Sequence, residues 1–181
     1  MNKRLSQITL AGIMCALSLA LVALIRFPII PAAPYLIYEP GDIPILIASF
    51  ALGPIFGIAM TFVVALLQAI IFSANDGWFG FIMHVLATGT FAIVASLIYK
   101  KMNNIKGAII GLICGVIVMT IIMSVSNLIL SPIFYGMPRQ AVIALLPTAI
   151  IPFNLIKAGI NSVFIAIIYK SVINMIKKYN I

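Results

Sequence analysis

Long apolar runs separated by short polar stretches organise this chain, and the runs predict six helices. They cover residues 6–27, 43–52, 54–72, 79–99, 107–130 and 141–169. Five of the runs reach the roughly 20 residues that cross a bilayer core. The second run predicts a helix only about 15 Å long. It must either continue past Gly53-Pro54 or have its ends buried by neighbouring helices, because lipid cannot satisfy a helix end.

The composition indicates that most of the protein surface faces lipid and not water. Hydrophobic residues form 64% of the chain, charged residues only 8%, and the mean hydropathy is +1.27. A soluble domain is about a quarter charged. We therefore predict an all-α integral membrane protein, with residues 1–181 forming a single domain built as a six-transmembrane-helix bundle. The amino terminus has the basic start and apolar centre of a signal peptide, but its apolar run is long enough to span and is expected to be retained.

The distribution of charge predicts the orientation. Six spans place both termini on one side, together with eight basic residues, whereas the other side carries Arg26, Arg139 and the three acids. The eight are Lys3, Arg4, Lys100, Lys101, Lys106, Lys170, Lys177 and Lys178. The positive-inside rule then predicts that both termini are cytoplasmic and that Glu39, Asp42 and Asp76 lie outside. Because the basic residues sit at helix ends, the net charge of +8 does not indicate nucleic-acid binding.

Small residues recur at steps of four on two predicted helices. The first helix carries Gly12, Ala16 and Ala20, and the fifth carries Gly107 and the glycines that follow it. Such stripes let helices approach closely. The stripe on the first helix either packs inside the bundle or contacts another protein, and the sequence alone does not choose.

The residues needed for several chemistries are absent. No phosphate-binding G-x-x-x-x-G-K-[ST] motif exists, so the chain cannot cradle ATP by that means. All three acids fall in or beside the outer loops, and His84, the single histidine, is predicted to be structural. Cys15 and Cys114 are expected to be free thiols, with no metal set. We expect neither catalytic residues nor a metal site.

Lys157 is the exception to this apolar pattern, because it lies near the middle of the last predicted helix. A lysine at a helix centre costs about 2.5–3.5 kcal/mol on insertion scales. Asn154 and Asn161, three residues before and four after, share its helix face, and Asn127 on the fifth helix could oppose them. The group is either a polar network that joins helices or a binding site for a flat heterocycle with carbonyls and a ring N–H.

The outer loop over residues 27–42 is the other unusual segment. It contains four prolines, together with Tyr35 and Tyr38. Proline fixes φ and lowers the entropy lost on ordering. The loop is either a plain connector or a lid over a pocket that opens outward.

Taken together, these residues resemble a known family. The stretches that carry the likeness are "YEPGDIPILIASFALGPIFG", "SNLILSPIFYG" and "IPFNLIKAGIN". In these the chain is similar to the substrate-binding S component of an energy-coupling factor (ECF) vitamin transporter, specifically the riboflavin type. The resemblance implies high-affinity riboflavin uptake across a bacterial cell (inner) membrane, with a transmembrane coupling subunit and two ATPase subunits as partners. It also implies that riboflavin is a transported ligand and that no cofactor is present.

The resemblance assigns roles to particular positions. Asn154 and Lys157 match the polar pair on the sixth helix that hydrogen-bonds the flavin ring, and Asn127 matches an asparagine of the fifth helix in the same pocket. Ala16 and Ala20 match the alanine motif that docks on the coupling subunit. The family loop that caps the vitamin contains Tyr35 and Tyr38 here. Asn161, on the same face as Lys157, completes the expected binding set.

Other functions stay open. The chain could be an S component for FMN or pantothenate, and Arg26 or Arg139 could serve an FMN phosphate. In a different class, it could be an integral membrane enzyme or scaffold with no transported ligand. In relatives an acidic residue stands one turn before Asn127, where this chain has Met123.

Overall fold

The computed structural model describes residues 3–31, 33–72 and 77–178. Its elements are α1 Lys3–Leu24, β1 Phe27–Pro28, β2 Ile37–Tyr38, α2 Asp42–Leu52, α3 Pro54–Ile71, α4 Gly77–Met102, α5 Ile105–Tyr135, α6 Arg139–Leu145, a π-helical turn Leu146–Ile150 and α7 Ile151–Lys178. The predicted outer loop at residues 73–76, with Asp76, lies outside the described residues.

Within the described ranges, five helical segments are long and apolar enough to cross a membrane. They are Lys3–Leu24, Pro54–Ile71, Gly77–Met102, Ile105–Tyr135 and Arg139–Tyr169. The remaining predicted helix is the short apolar α2. The protein is therefore mostly helical with five candidate spans, where the sequence predicted a bundle of six helices with a short second one.

The short helix α2 forms the centre of the bundle. It packs against α1, α3, α4 and α7, and every residue from Asp42 to Phe50 is buried. Gly53 has a φ of +96°, which ends α2, and Pro54 begins α3 at once. Of the two explanations for its length, burial by neighbouring helices is the correct one, because α2 contacts protein where a lone helix would contact lipid.

The loop between α1 and α2 contains a two-residue antiparallel pair, so the fold is not entirely α. Phe27 pairs with Tyr38, and Pro28 pairs with Ile37. The predicted extension of the first helix to residue 27 is wrong. A residue before proline disfavours the α conformation, and α1 already ends at Leu24.

Two prolines near the carboxyl end do not end their helices where the sequence predicted. The fifth helix was predicted to stop at residue 130, yet α5 continues through Pro132 to Tyr135 and ends at Gly136 with a left-handed φ of +63°. The last predicted helix, residues 141–169, is interrupted by a π-helical turn that contains Pro147. Proline lacks the N–H of the helical ladder, and helices within membranes accommodate this by such local adjustments.

The two faces of α5 show which surfaces meet lipid and which meet protein. β-Branched residues at every fourth position from Ile109 to Ile133 are exposed. On the other face, a Cβ at Gly111 would lie 2.6 Å from the Ala95 backbone oxygen of α4. The small-residue stripe of this helix therefore packs inside the bundle.

Candidate ligand-binding site

A cavity lies between α3, α4, α5 and α7, beneath the loop that joins α1 to α2. Its wall includes polar side chains from all of these elements and an aromatic group. The polar residues are Arg26, Glu39, Gln68, His84, Thr88, Asn127, Asn154 and Lys157, and the aromatic ones are Tyr35, Phe79, Tyr135 and Phe153. Three of the residues predicted for binding, Asn127, Asn154 and Lys157, thus line one cavity.

Lys157 is balanced by two carboxylates. Its Nζ lies 3.8 Å from Glu39 Oε1 and 3.8 Å from Asp42 Oδ2. Asp42 is the first residue of α2, and Glu39 stands in the loop just before it. The sequence placed both acids in or beside the loop between the first two helices, but it did not predict that their side chains are buried. A buried cation requires such partners.

Each carboxylate is held by further contacts. Glu39 Oε1 accepts a hydrogen bond from Gln68 Nε2, and Glu39 Oε2 lies 4.0 Å from Arg26 Nε. Asp42 accepts from Thr88 Oγ1 at 2.6 Å and from Asn161 Nδ2 at 3.2 Å. These bonds join the loop and α2 to α3, α4 and α7, so the charged cluster is also a junction of the bundle.

His84 lies against this cluster. Its ring nitrogens are 3.8 Å from Glu39 Oε1 and 3.6 Å from Asp42 Oδ1. The sequence predicted an ordinary structural histidine, but the side chain forms part of the cavity wall. Among the described residues, His84 Nε2 and Gln68 Oε1 are buried without a hydrogen-bond partner. A buried polar atom without a partner is costly, so both atoms are available to a bound molecule or to water.

The two cavity asparagines are oriented by their own helices. Asn127 Nδ2 donates to the Met123 carbonyl oxygen, and Asn154 Nδ2 donates to the Ile150 oxygen, each at 2.8 Å. Ser131 Oγ donates to Asn127 Oδ1 at 3.1 Å. Both amides are thus fixed at the surface of the cavity, and Met123 lines it beside them.

Tyr38 and Asn161 stand behind the cavity wall and do not line it. The Tyr38 hydroxyl donates to Asn161 Oδ1 at 3.1 Å, and both residues are buried. Burial raises the pKa of Tyr38, which keeps the hydroxyl neutral and able to donate. The tyrosine of the loop that lines the cavity is Tyr35, whose ring lies 6.4 Å from that of Tyr135.

The small-residue stripe of α1 faces outward. Gly12, Ala16 and Ala20 are all exposed, and a Cβ placed on Gly12 would meet nothing within 4 Å. The sequence left two interpretations open for this stripe. The structure excludes packing inside the bundle and leaves the surface open to another molecule.

The parts of the chain that the structure describes hold no group of three or more His, Cys, Asp or Glu side chains that could ligate a metal ion. Cys15 and Cys114 are free. The chemistry of the cavity is thus that of hydrogen-bond donors, acceptors and balanced charges.

Comparison with known proteins agrees with this arrangement. The family model "ECF transporter, substrate-specific component" matches residues 6–169. The riboflavin transporter RibU of Staphylococcus aureus (strain TCH60) is 36% identical over 183 residues, which cover 98% of this chain and 94% of that protein. The riboflavin transporter FmnP of Bacillus subtilis (strain 168) is 30% identical over 154 residues, with 81% of each chain covered.

A solved structure of the S component of a bacterial ECF transporter superposes with a TM-score of 0.82. Its sequence is 34% identical, and the match covers 96% of this chain and 99% of that one. The likeness thus extends over the whole bundle, including the central short helix. The chain belongs to the family of substrate-specific components of ECF transporters, which are transport proteins and not enzymes.

Proposed function

We propose that this protein is the riboflavin-binding S component of an ECF importer in a bacterial cell membrane. It captures the vitamin from outside, and a transmembrane coupling subunit with two ATPase subunits drives uptake. One observation carries the proposal: Asn127, Asn154 and Lys157 line one cavity, in a chain 36% identical to a riboflavin transporter over nearly its full length.

The cavity suits the two parts of a flavin ring. The pyrimidine edge of a flavin has two carbonyls with an N–H between them. An asparagine can accept from that N–H and donate to one carbonyl, and Lys157 can donate to the other. The apolar part of the tricycle would pack against Phe79, Tyr135 and Phe153. Riboflavin is then the transported ligand, with no cofactor involved.

The balance of charge favours a neutral ligand. Arg26 and Lys157 each lie within 4.0 Å of a carboxylate, and Glu39 and Asp42 match them in number. Arg26 Nη1 also donates to the Phe72 backbone oxygen at 2.8 Å. A phosphate or carboxylate on the ligand would add unmatched negative charge near the two acids. This argues for riboflavin over FMN and pantothenate.

Tyr38 and Asn161 act in this proposal by holding the wall, because their mutual hydrogen bond and the bond from Asn161 to Asp42 fix the base of the loop. The loop itself is the lid, with Tyr35 as the side chain that covers the ligand. Its two-residue strand pair fastens both ends of the lid to each other.

We also propose that both termini are cytoplasmic and that α2 counts as the sixth crossing. The hydrogen bond from Arg26 to Phe72 brings the residues that follow α1 and α3 together. If α1 and α3 end on the same side, α2 must return the chain between them. The exposed stripe of Gly12, Ala16 and Ala20 is then the surface that docks on the coupling subunit.

The test is to purify the protein in detergent and identify any bound ligand by absorbance and mass spectrometry. We expect a yellow protein that releases riboflavin and rebinds it with quenching of flavin fluorescence. FMN and pantothenate are titrated in parallel. Tighter binding of either anion would overturn the riboflavin assignment. A colourless protein that binds none of the three would favour an integral membrane protein without a transported ligand.

A further inference from the structure

The first helix has two opposite faces with different partners. Leu10, Met14, Ser18 and Val22, spaced by four residues, are its only buried positions among the described residues. The other face carries the exposed docking stripe defined above. These four side chains, with the partly buried Ala11, Cys15 and Leu19 beside them, connect α1 to the rest of the protein. A displacement of α1 therefore reaches the bundle through this face.

Ser18 is the polar member of this face. It is fully buried, and its Oγ donates to the Gly41 carbonyl oxygen at 2.5 Å. Gly41 is the residue between Pro40 and Asp42, in the segment that leads into α2. The serine therefore holds α1 directly to the short stretch that carries both carboxylates of the charged cluster.

Gly41 is a glycine because α1 lies so close. Its φ is −59°, which any residue adopts. A Cβ at this position, however, would lie 2.6 Å from Val22 Cγ2 and 3.2 Å from Ser18 Oγ. The Gly41 backbone thus lies directly against the Ser18 and Val22 side chains of α1, with no side chain of its own between them.

The segment on the other side of this contact holds Lys157. Glu39 and Asp42 flank Gly41 by two residues and one residue, and each lies 3.8 Å from Lys157 Nζ. A displacement of α1 that moves Gly41 would therefore change these distances and the orientation of the ammonium in the cavity.

We propose that the Ser18–Gly41 contact transmits the docked state of α1 to the carboxylates that position Lys157, so that docking lowers the affinity for the ligand. Ser18 is a positioning residue: it does not line the cavity, and it acts through Gly41 and the two acids. The inference rests on the proposed function and adds the route by which capture and release are coupled.

The experiment measures riboflavin affinity twice for each variant, once on the free subunit and once on the nucleotide-free complex with the coupling subunit and ATPases. The ratio of the two dissociation constants reports coupling, which is typically 5- to 150-fold between linked sites. For the wild type we expect weaker binding in the complex, with a ratio in that range. Ser18→Ala should move the ratio toward 1 and reduce uptake, while assembly of the complex persists.

The ratio separates transmission from a general structural effect. If Ser18 only stabilised the fold, both dissociation constants would change together and their ratio would stay at the wild-type value. Ser124→Ala is the matched control, because Ser124 Oγ donates within α5, to the Thr120 oxygen at 2.8 Å, and Ser124 does not line the cavity. This variant should keep the wild-type ratio and uptake.

A second variant applies if Ser18→Ala fails to fold. Gly41→Ala inserts a methyl group against α1 and should change the ratio, and Val22→Ala added to it removes the closest contact and should restore the ratio toward the wild-type value. The inference is overturned by a wild-type ratio of 1, by a ratio that Ser18→Ala leaves unchanged, or by absence of this rescue. Failure of the proposed function has a different signature, namely a free wild-type subunit that binds no riboflavin.

Discussion

Replacing Lys157 by methionine removes the ammonium and keeps most of the side-chain length. In the ligand-free protein it breaks two contacts of 3.8 Å, which leaves Asp42 buried without its cation and Glu39 with Arg26 at 4.0 Å. Breaking a buried ion pair by removing one partner costs about 3–5 kcal/mol. For a chain of this size, that loss lowers the thermal midpoint by on the order of 10 °C.

The same substitution should weaken binding of riboflavin. A lost hydrogen bond to a charged group is worth about 1.5–3 kcal/mol, which corresponds to a dissociation constant about 10- to 150-fold higher. Both quantities are measured on one detergent-purified preparation, the affinity by quenching of flavin fluorescence and the midpoint by thermal unfolding without ligand.

A second substitution separates the two effects. Asp42→Asn added to Lys157→Met removes one stranded charge, and the side-chain oxygen of asparagine can still accept from Thr88. The double variant should regain part of the lost stability and none of the lost affinity. Lys101→Met, at an exposed lysine in the last turn of α4, is the control and should change neither quantity. A Lys157→Met protein as stable as the wild type would refute the ion-pair cluster, and an unchanged affinity would refute the contact with the flavin.

Three further predictions concern the surfaces of the bundle. Ala16→Trp should block co-purification with the coupling subunit and leave riboflavin binding intact, whereas Val63→Trp, on an exposed face of α3, should do neither; loss of binding in the first variant would contradict docking. Gly111→Leu should destabilise the protein by about 1–3 kcal/mol or more through overpacking against α4, seen as a lower thermal midpoint, and an unchanged midpoint would refute that packing. In a cysteine-free background, Trp78→Cys should react with an impermeant thiol reagent from outside and Lys101→Cys only after the membrane is opened; the reverse pattern would invert the proposed orientation.

Much of the fold could be predicted from local patterns. Apolar length and proline–glycine breaks are properties of single segments, and the five candidate spans follow from them. The same reasoning gave wrong helix ends near Pro132 and missed the π-helical turn at Pro147. A membrane helix tolerates proline where neighbouring helices or a π turn compensate for the lost hydrogen bond. The break at Gly53 was visible, but only the packing of α2 among four helices shows why so short a helix is stable.

The binding site was predicted in part. Lys157 and its neighbour Asn154 stood out because a polar group in an apolar run is conspicuous, and Asn127 followed from the same logic. Glu39 and Asp42 were missed because they lie in a loop and at a helix start, where acids are ordinary. Their position beside Lys157 depends on tertiary contacts between distant segments. One signal in the sequence could have found them: a buried cation needs a counter-charge, and the chain contains only three acids from which to choose it.

The pairing of Lys157 with acids near the amino terminus also bears on how the protein is made. A ribosome delivers residues 39–42 well before residue 157, so the counter-charges are already in place when the lysine-bearing helix enters the bilayer. The free-energy cost of inserting that lysine, about 2.5–3.5 kcal/mol for an isolated helix, is then offset by its contacts with the two carboxylates. In a chain without Glu39 and Asp42, the last helix would enter lipid with the Lys157 charge unpaired. We therefore expect substitutions of these acids to impair membrane insertion of that helix as well as vitamin binding.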